Sequence, residues 1–344
     1  MSKKAIAIIL IFSLVFFCGC GEKREKEEAV VDAVEDKIQI GMTFDSFVIE
    51  RWQRDRDVFV SKARELDADV NVQAANGETD EQISQIEYFI NKKVDVIVIV
   101  AVDTDALSGV IEKAKKAGIS VMCYDRLVRN ANVDMYISFD NVEVGKLMGQ
   151  ALYKKIGIGK NIVEICGPES DYNVELVAEG FEHQTKKSAG HVLLKCNCDN
   201  WKAESAYEYI NKNAELIRKA DGIMCGNDSL AGEVIRALAE LRLAGDVCVV
   251  GQDADLEGCQ RIVEGTQEMT VYKPVETLAK TAAEYAVKLA KGEELVNTET
   301  FFDGTYDIPY VKLDPIAVNI DNMNETVISG GFHLKEDVYI NVTE

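Results

Sequence analysis

DVIVIVAVDTDALSGVIEKAKKAGISVMCYDR, residues 95–126, has a counterpart later in the chain at residues 221–253, DGIMCGNDSLAGEVIRALAELRLAGDVCVVGQD. Each stretch opens with a short apolar run after an aspartate, Asp95 or Asp221, and turns through polar residues, Asp103-Thr104-Asp105 or Asn227-Asp228. A helical pattern follows in both, then an Ala-Gly pair (Ala117-Gly118, Ala244-Gly245). A second apolar run then ends at Tyr124-Asp125-Arg126 in one copy and at Gly251-Gln252-Asp253 in the other. Both halves thus set a carboxylate just past the carboxyl end of a strand, where open α/β sheets bind ligands. Two such halves facing one another would enclose a polar cleft.

The same rhythm extends in both directions. Lys37–Phe44, Asp69–Gln73, Val94–Val100 and Ser120–Tyr124 read as strands, with helical patterns such as Asp80–Asn91 and Asp105–Ala117 between them. Asn161–Cys166, Val192–Lys195, Gly222–Cys225 and Val247–Gly251 continue it. Strand–helix alternation predicts parallel sheets covered on both faces, an α/β fold. About 300 residues exceed a comfortable single core, so two lobes are expected.

The first residues bear on the compartment. Ser2-Lys3-Lys4, an apolar run from Ala5 to Phe17 and Cys18-Gly19-Cys20 read as a secretory signal. The run falls short of the roughly 20 residues a bilayer span needs. The pattern resembles a bacterial lipoprotein box, with Cys20, preceded by the small Gly19, as the lipidated residue. Residues 1–20 are expected to be the signal and 21–36, dense in Glu and Lys, a solvated tether. That places the body outside the cytoplasm, held to the membrane by lipid.

A formal net charge of -21 would be repelled by phosphate backbones, which argues against a nucleic-acid partner. Nine cysteines show no short disulfide spacing, and Cys123, Cys166, Cys225 and Cys248 fall in or beside apolar runs, as buried thiols do. Cys196-x-Cys198 lacks the His or second pair of a metal site. The histidines, His183, His191 and His333, form no metal spacing, and Gly157-x-Gly159 lacks the third glycine of a dinucleotide fingerprint. No metal or cofactor is expected.

A cleft for a monosaccharide needs carboxylates to accept, Asn, Arg and Lys to donate, and aromatic rings to cover the C–H face of the sugar. The chain has two tryptophans, and both fall at element junctions on the expected cleft side: Trp52 after the first strand and Trp201 between a strand and a helix. Carboxylates matched with Arg and Lys would stay ionised, whereas a glycosidase acid needs a raised pKa. A binding protein, not an enzyme, is the expectation.

Six segments carry a family resemblance: Glu50-Arg51-Trp52-Gln53-Arg54-Asp55-Arg56-Asp57, Gln73-Ala74-Ala75-Asn76-Gly77, Tyr124-Asp125-Arg126, Tyr136-Ile137-Ser138-Phe139-Asp140-Asn141, Gly251-Gln252-Asp253-Ala254-Asp255-Leu256 and the run from Gly265 to Pro274. In this order, with Leu313-Asp314-Pro315-Ile316 in the tail, the chain resembles bacterial xylose-binding proteins. The resemblance implies a type I periplasmic binding protein, with two Rossmann-like lobes joined by three hinge strands near Phe139–Asn141, Tyr272–Pro274 and Thr305–Ile308. The lobes would be 37–142 plus 275–305 and 143–274 plus 306–344. It further implies a ligand shell of Arg51, Trp52, Asp125, Arg126, Asp171, Asn173, Trp201, Asn227, Asp253 and Lys273, with xylose as ligand. The stretch Cys166–Asn173 departs from the family pattern around Pro168 and Tyr172, as does Asn197–Asp199. The implied partner is an ABC permease in the membrane, the alternative a sensor kinase or chemoreceptor.

Overall fold

The structure is a computed structural model and describes residues 37–342. The expected signal, Cys20 and the tether lie outside those residues. Strands β1 (Ile38–Phe44), β2 (Ala68–Ala74), β3 (Val96–Ile99), β4 (Ser120–Tyr124) and β5 (Met135–Phe139) come first, each followed by a helix or a loop. The second group is β6 (Asn161–Cys166), β7 (His191–Asn197), β8 (Gly222–Cys225), β9 (Cys248–Val250) and β10 (Thr270–Tyr272). Three more close the chain: β11 (Glu299–Phe302), β12 (Asp307–Leu313) and β13 (Ile316–Val318).

One sheet has the order β11-β12-β5-β4-β3-β1-β2, parallel except for the β11–β12 hairpin. The other has the parallel order β7-β6-β8-β9, and a bridge from Val250 to Met269 continues it to the antiparallel pair β10-β13. The Val-Ile-Val-Ile run of β3 is buried on both faces, as a central parallel strand must be. Val96 and Val98 join one core cluster, Ile97 and Ile99 the other.

The helices α1 (Arg51–Glu65), α2 (Thr79–Lys92) and α3 (Ser108–Lys116) cover the first sheet, with α1 on one face and α2 and α3 on the other. Next come α4 (Asn141–Ile156), α5 (Tyr172–Lys187), α6 (Ala203–Lys212), α7 (Ala214–Ile217), α8 (Asp228–Glu240) and α9 (Leu256–Glu264), all in the second lobe. Then α10 (Val275–Ala290) returns to pack beside α1. Helices α4 and α5 meet backbone to backbone. A Cβ on Gly145 would lie 1.9 Å from the Val177 carbonyl oxygen, and one on Gly180 1.9 Å from that of Val142.

The chain passes between the sheets at β5–α4 and at β10–α10. The third passage differs. Thr305 and Tyr306 form the hairpin turn between β11 and β12, where their amides donate to Asp303 Oδ1 at 2.9 and 2.7 Å. Strand β12 then pairs with β5 from Tyr310 to Leu313, so the crossing falls at Asp314-Pro315, beyond the Thr305–Ile308 expected. Residues 306–313 accordingly belong with the first sheet and not with the second lobe. Burial is the reason: Ile308 and Tyr310 alternate into the first core beside Tyr136.

Candidate functional site

Loops that follow parallel strands of both sheets converge on one cavity. Arg51 and Trp52 open α1 just after β1, and Asp125-Arg126 follows β4. From the second lobe come Asp171 and Asn173 at the start of α5, Trp201 in the 3-10 turn Asp199–Trp201, Asp253 after β9 and Lys273 after β10. Carboxyl ends of parallel strands face the cavity from both lobes, as expected of doubly wound sheets.

The cavity is wired by charge. Arg51 bridges Asp55 at 3.1 Å and Asp125 at 2.9 Å, with all three side chains buried. Arg126 reaches Asp45 through Nη1 and Asp171 through Nε, both at 2.7 Å. Lys273 pairs with Asp253 at 3.1 Å. Asn173 Nδ2 donates to Asp125 Oδ1 at 3.1 Å across the lobes, while its Oδ1 accepts from Asn141 at 3.0 Å. Burial works against ionising Asp125, but Arg51, Lys273 and Arg126 together outweigh it and hold the carboxyl below its usual range. At Asp171 burial prevails over Arg126 and pushes the carboxyl up. Pairing with cations therefore keeps Asp125 ionised, as expected, but does not lower Asp171.

Two indoles face the same space. The Arg126 guanidinium lies 5.6 Å from the Trp52 ring and 6.0 Å from the Trp201 ring. Gly167 and Gly226 make room for Trp201: a Cβ on Gly167 would sit 2.3 Å from the indole. Trp201 Nε1 donates to Asp171 Oδ2 at 3.3 Å. Three lining residues carry a buried polar atom with no hydrogen-bond partner: Trp52 Nε1, Gln252 Oε1 and Asp253 Oδ1, the last facing only the Lys273 ammonium at 3.1 Å. Buried donors and acceptors are rarely left unpaired, so a donor and an acceptor free in one cavity fit a ligand bearing hydroxyls.

Asn227 is placed differently from the rest of the expected set. Its Oδ1 caps α8 by accepting from the Leu230 amide at 2.8 Å, and the cavity wall beside it is formed by Gly226. Residues absent from the expected set also line the space: Gln252, Met224, Ile49, Val174 and Val177. Gln252 belongs to the Gly251-Gln252-Asp253 motif, so its position beside Asp253 is a signal that could have found it. The aliphatic residues carry no signal that separates a cavity wall from ordinary core.

The seven cysteines among the described residues are free thiols, Cys196 and Cys198 included. Among those residues no group of His, Cys, Asp and Glu is arranged to hold a metal ion, and no helix is long and apolar enough to cross a membrane.

A cavity lined by buried charges and two indoles, between two mostly parallel sheets, is the kind of site a small-ligand receptor carries between its lobes. A family profile described as Periplasmic binding protein domain matches residues 40–294. The D-xylose-binding periplasmic protein of Haemophilus influenzae is 44% identical over 98% of this chain and 100% of its own length. That of Escherichia coli is 43% identical over 88% of this chain and 93% of its own. Among solved structures, an ABC transporter solute binding protein from Clostridium phytofermentans with bound beta-D-glucose superposes with a TM-score of 0.79 at 26% identity, covering 87% of this chain and 99% of that one. The chain belongs to the periplasmic binding protein family.

Proposed function

We propose that the protein binds a monosaccharide, D-xylose, in the cavity between its lobes and delivers it to an ABC-type importer without altering it chemically. Arg51, Trp52, Asp125, Arg126, Asp171, Asn173, Trp201, Asp253 and Lys273 are the ligand shell in this reading. Asn227 contributes through the start of α8, which it caps beside the Gly226 wall of the cavity. The observation that carries the reading is the pairing of two indoles with an alternating set of buried donors and acceptors in one cavity. A pyranose offers two weakly apolar faces and hydroxyls that both donate and accept, so it matches that lining face by face and edge by edge. The relatives named for D-xylose support the choice of sugar.

Calorimetry against pentoses and hexoses tests it: D-xylose should bind most tightly, with about tenfold or more separating it from sugars that leave a buried polar group unpaired. Tightest binding of a hexose would overturn the choice of xylose, and turnover of an aryl xyloside would overturn the non-catalytic reading.

The protein works outside the cytoplasm, tethered by lipid on Cys20. Cys20→Ser should shift it from the membrane fraction to the soluble fraction in the cell of origin, whereas Cys18→Ser should not; the reverse outcome would move the processing site.

A further inference from the structure

Asp228 takes no part in the ligand shell, yet it is among the most thoroughly buried charged side chains of the second lobe. Its Oδ1 accepts from Gln267 Nε2 at 2.7 Å. Its Oδ2 accepts from the Thr270 hydroxyl at 2.7 Å and from the Asp255 amide at 3.2 Å. The Thr270 oxygen in turn accepts from the Ala254 amide at 3.1 Å. One carboxylate therefore ties together the start of α8, the loop 251–255 and strand β10. The packing leaves no slack: a Cβ on Gly251 or Gly258 would lie 2.3 or 2.4 Å from its oxygens.

The two tied segments carry the two halves of one ion pair. Asp253 sits in the loop, at φ +94, and Lys273 follows β10. The loop also lies against the strand through the Asp253 amide, which donates to the Val271 carbonyl at 2.8 Å. We propose that Asp228 is the positioning residue for the Asp253–Lys273 pair, and that gain or loss of its proton changes the affinity for sugar. The inference rests on the reading of those two residues as sugar contacts.

The surroundings fix its sense. Asp255 and Asp253 face Asp228 from the loop, Arg261 and Cys259 from α9, and Cys225 from β8, while Glu50 stands near Asp255. Burial, against the pull of Arg261 and the bonds from Thr270 and Gln267, raises the Asp228 carboxyl to about 7. Burial and the neighbouring Asp228 raise Asp255 well above the usual range, so the two carboxyls share protons at neutral pH. All three partners donate to Asp228, so the ionised form fits them and the protonated form loses an acceptor. Affinity should therefore increase as pH rises through about 7. Folding stability carries the opposite sign. A carboxyl whose folded pKa is raised favours folding less once it ionises, so stability should decline as pH rises from about 4 to about 7 and level off above that.

Titration calorimetry with D-xylose at about pH 6 and about pH 8, beside urea unfolding at the same pH values, tests this around the Asp228 midpoint. The wild type should bind several-fold more tightly at the higher pH. Asp228→Asn should weaken binding about tenfold at the higher pH and flatten the dependence. Asp255→Asn should keep the dependence and move its midpoint down, because a repelling carboxyl is gone. Should Asp228→Asn fail to fold, Thr270→Val removes one of the ties without touching the carboxyl and should also weaken binding. A wild type that binds xylose equally at both pH values, or either tie variant binding as the wild type does, overturns the inference while leaving the sugar site intact. A wild type that binds no sugar overturns the proposed function, and this inference falls with it.

Discussion

Asp125, Trp201 and Asp253 hold backbone angles that L-residues seldom adopt, with φ of +62, +56 and +94. For a bulky residue such as Trp the left-handed region is an outlier, and such strain costs on the order of 1–3 kcal/mol. Each is held there by its neighbours: Asp125 by Arg51 and Asn173, Trp201 by Gly167, Gly226 and Asp171, Asp253 by Lys273 and Val271. The strain turns an indole and two carboxylates into the cavity, where regular helix or strand would point them elsewhere. Trp201→Ala should then weaken xylose binding by about 1–3 kcal/mol. Its stability cost should be the smaller effect, since the indole borders the cavity and is not packed on every side. Calorimetry and urea unfolding on the same variant separate the cases. A stability loss of about 3–5 kcal/mol with unchanged affinity would make Trp201 a core residue and remove it from the shell.

At the scale of elements, the α4–α5 contact positions half of the cleft. Asn141 at the start of α4 holds Asn173 near the start of α5, and the close approach at Gly145 and Gly180 sets how the two helices lie. Alanine is the better helix former by about 1 kcal/mol. Gly180→Ala should nevertheless destabilise the fold by about 1–3 kcal/mol, because the clash is with backbone that has nowhere to go. Displacement of Asp171 and Asn173 should weaken sugar binding along with it. A more stable variant in urea unfolding would refute the contact's role. The elements also show where sequence is legible. Paired strand–helix repeats ending in Asp125 and Asp253 mark both halves of the cavity in the amino-acid order itself, since the carboxyl end of a parallel strand is the same kind of place in each lobe. The third crossing lies away from its expected position although its signal is present. Asp303-Gly304 is a turn pair, Gly304 adopts φ +108, and the strands flanking it form a hairpin. Asp228 carries no such signal, because nothing local separates a buried carboxylate that braces a loop from an ordinary helix-start aspartate.

Over the whole molecule, the lobes touch through polar groups around the cavity mouth. The Thr104 amide donates to the Ser170 carbonyl at 2.9 Å, Arg126 reaches Asp171, and Arg129 bridges Asp105 at 2.7 Å and Glu175 at 3.5 Å. Composition announces none of these. They join residues far apart in sequence, and each side alone reads as a solvated charge.

The hairpin of β11 and β12 has a bearing on how the chain is made. Strand β5 gains its outer neighbour only when residues 310–313 arrive, and α1 gains its companion α10 only from residue 275 onward. Until those residues have been made, the first lobe lacks two strands of its sheet and a helix of its core. Its first strands thus wait, unable to close their fold, for partners that come from far along the chain. On the export route proposed above, the chain would gain from that delay, because a lobe whose partners come late stays unfolded while it is threaded across the membrane.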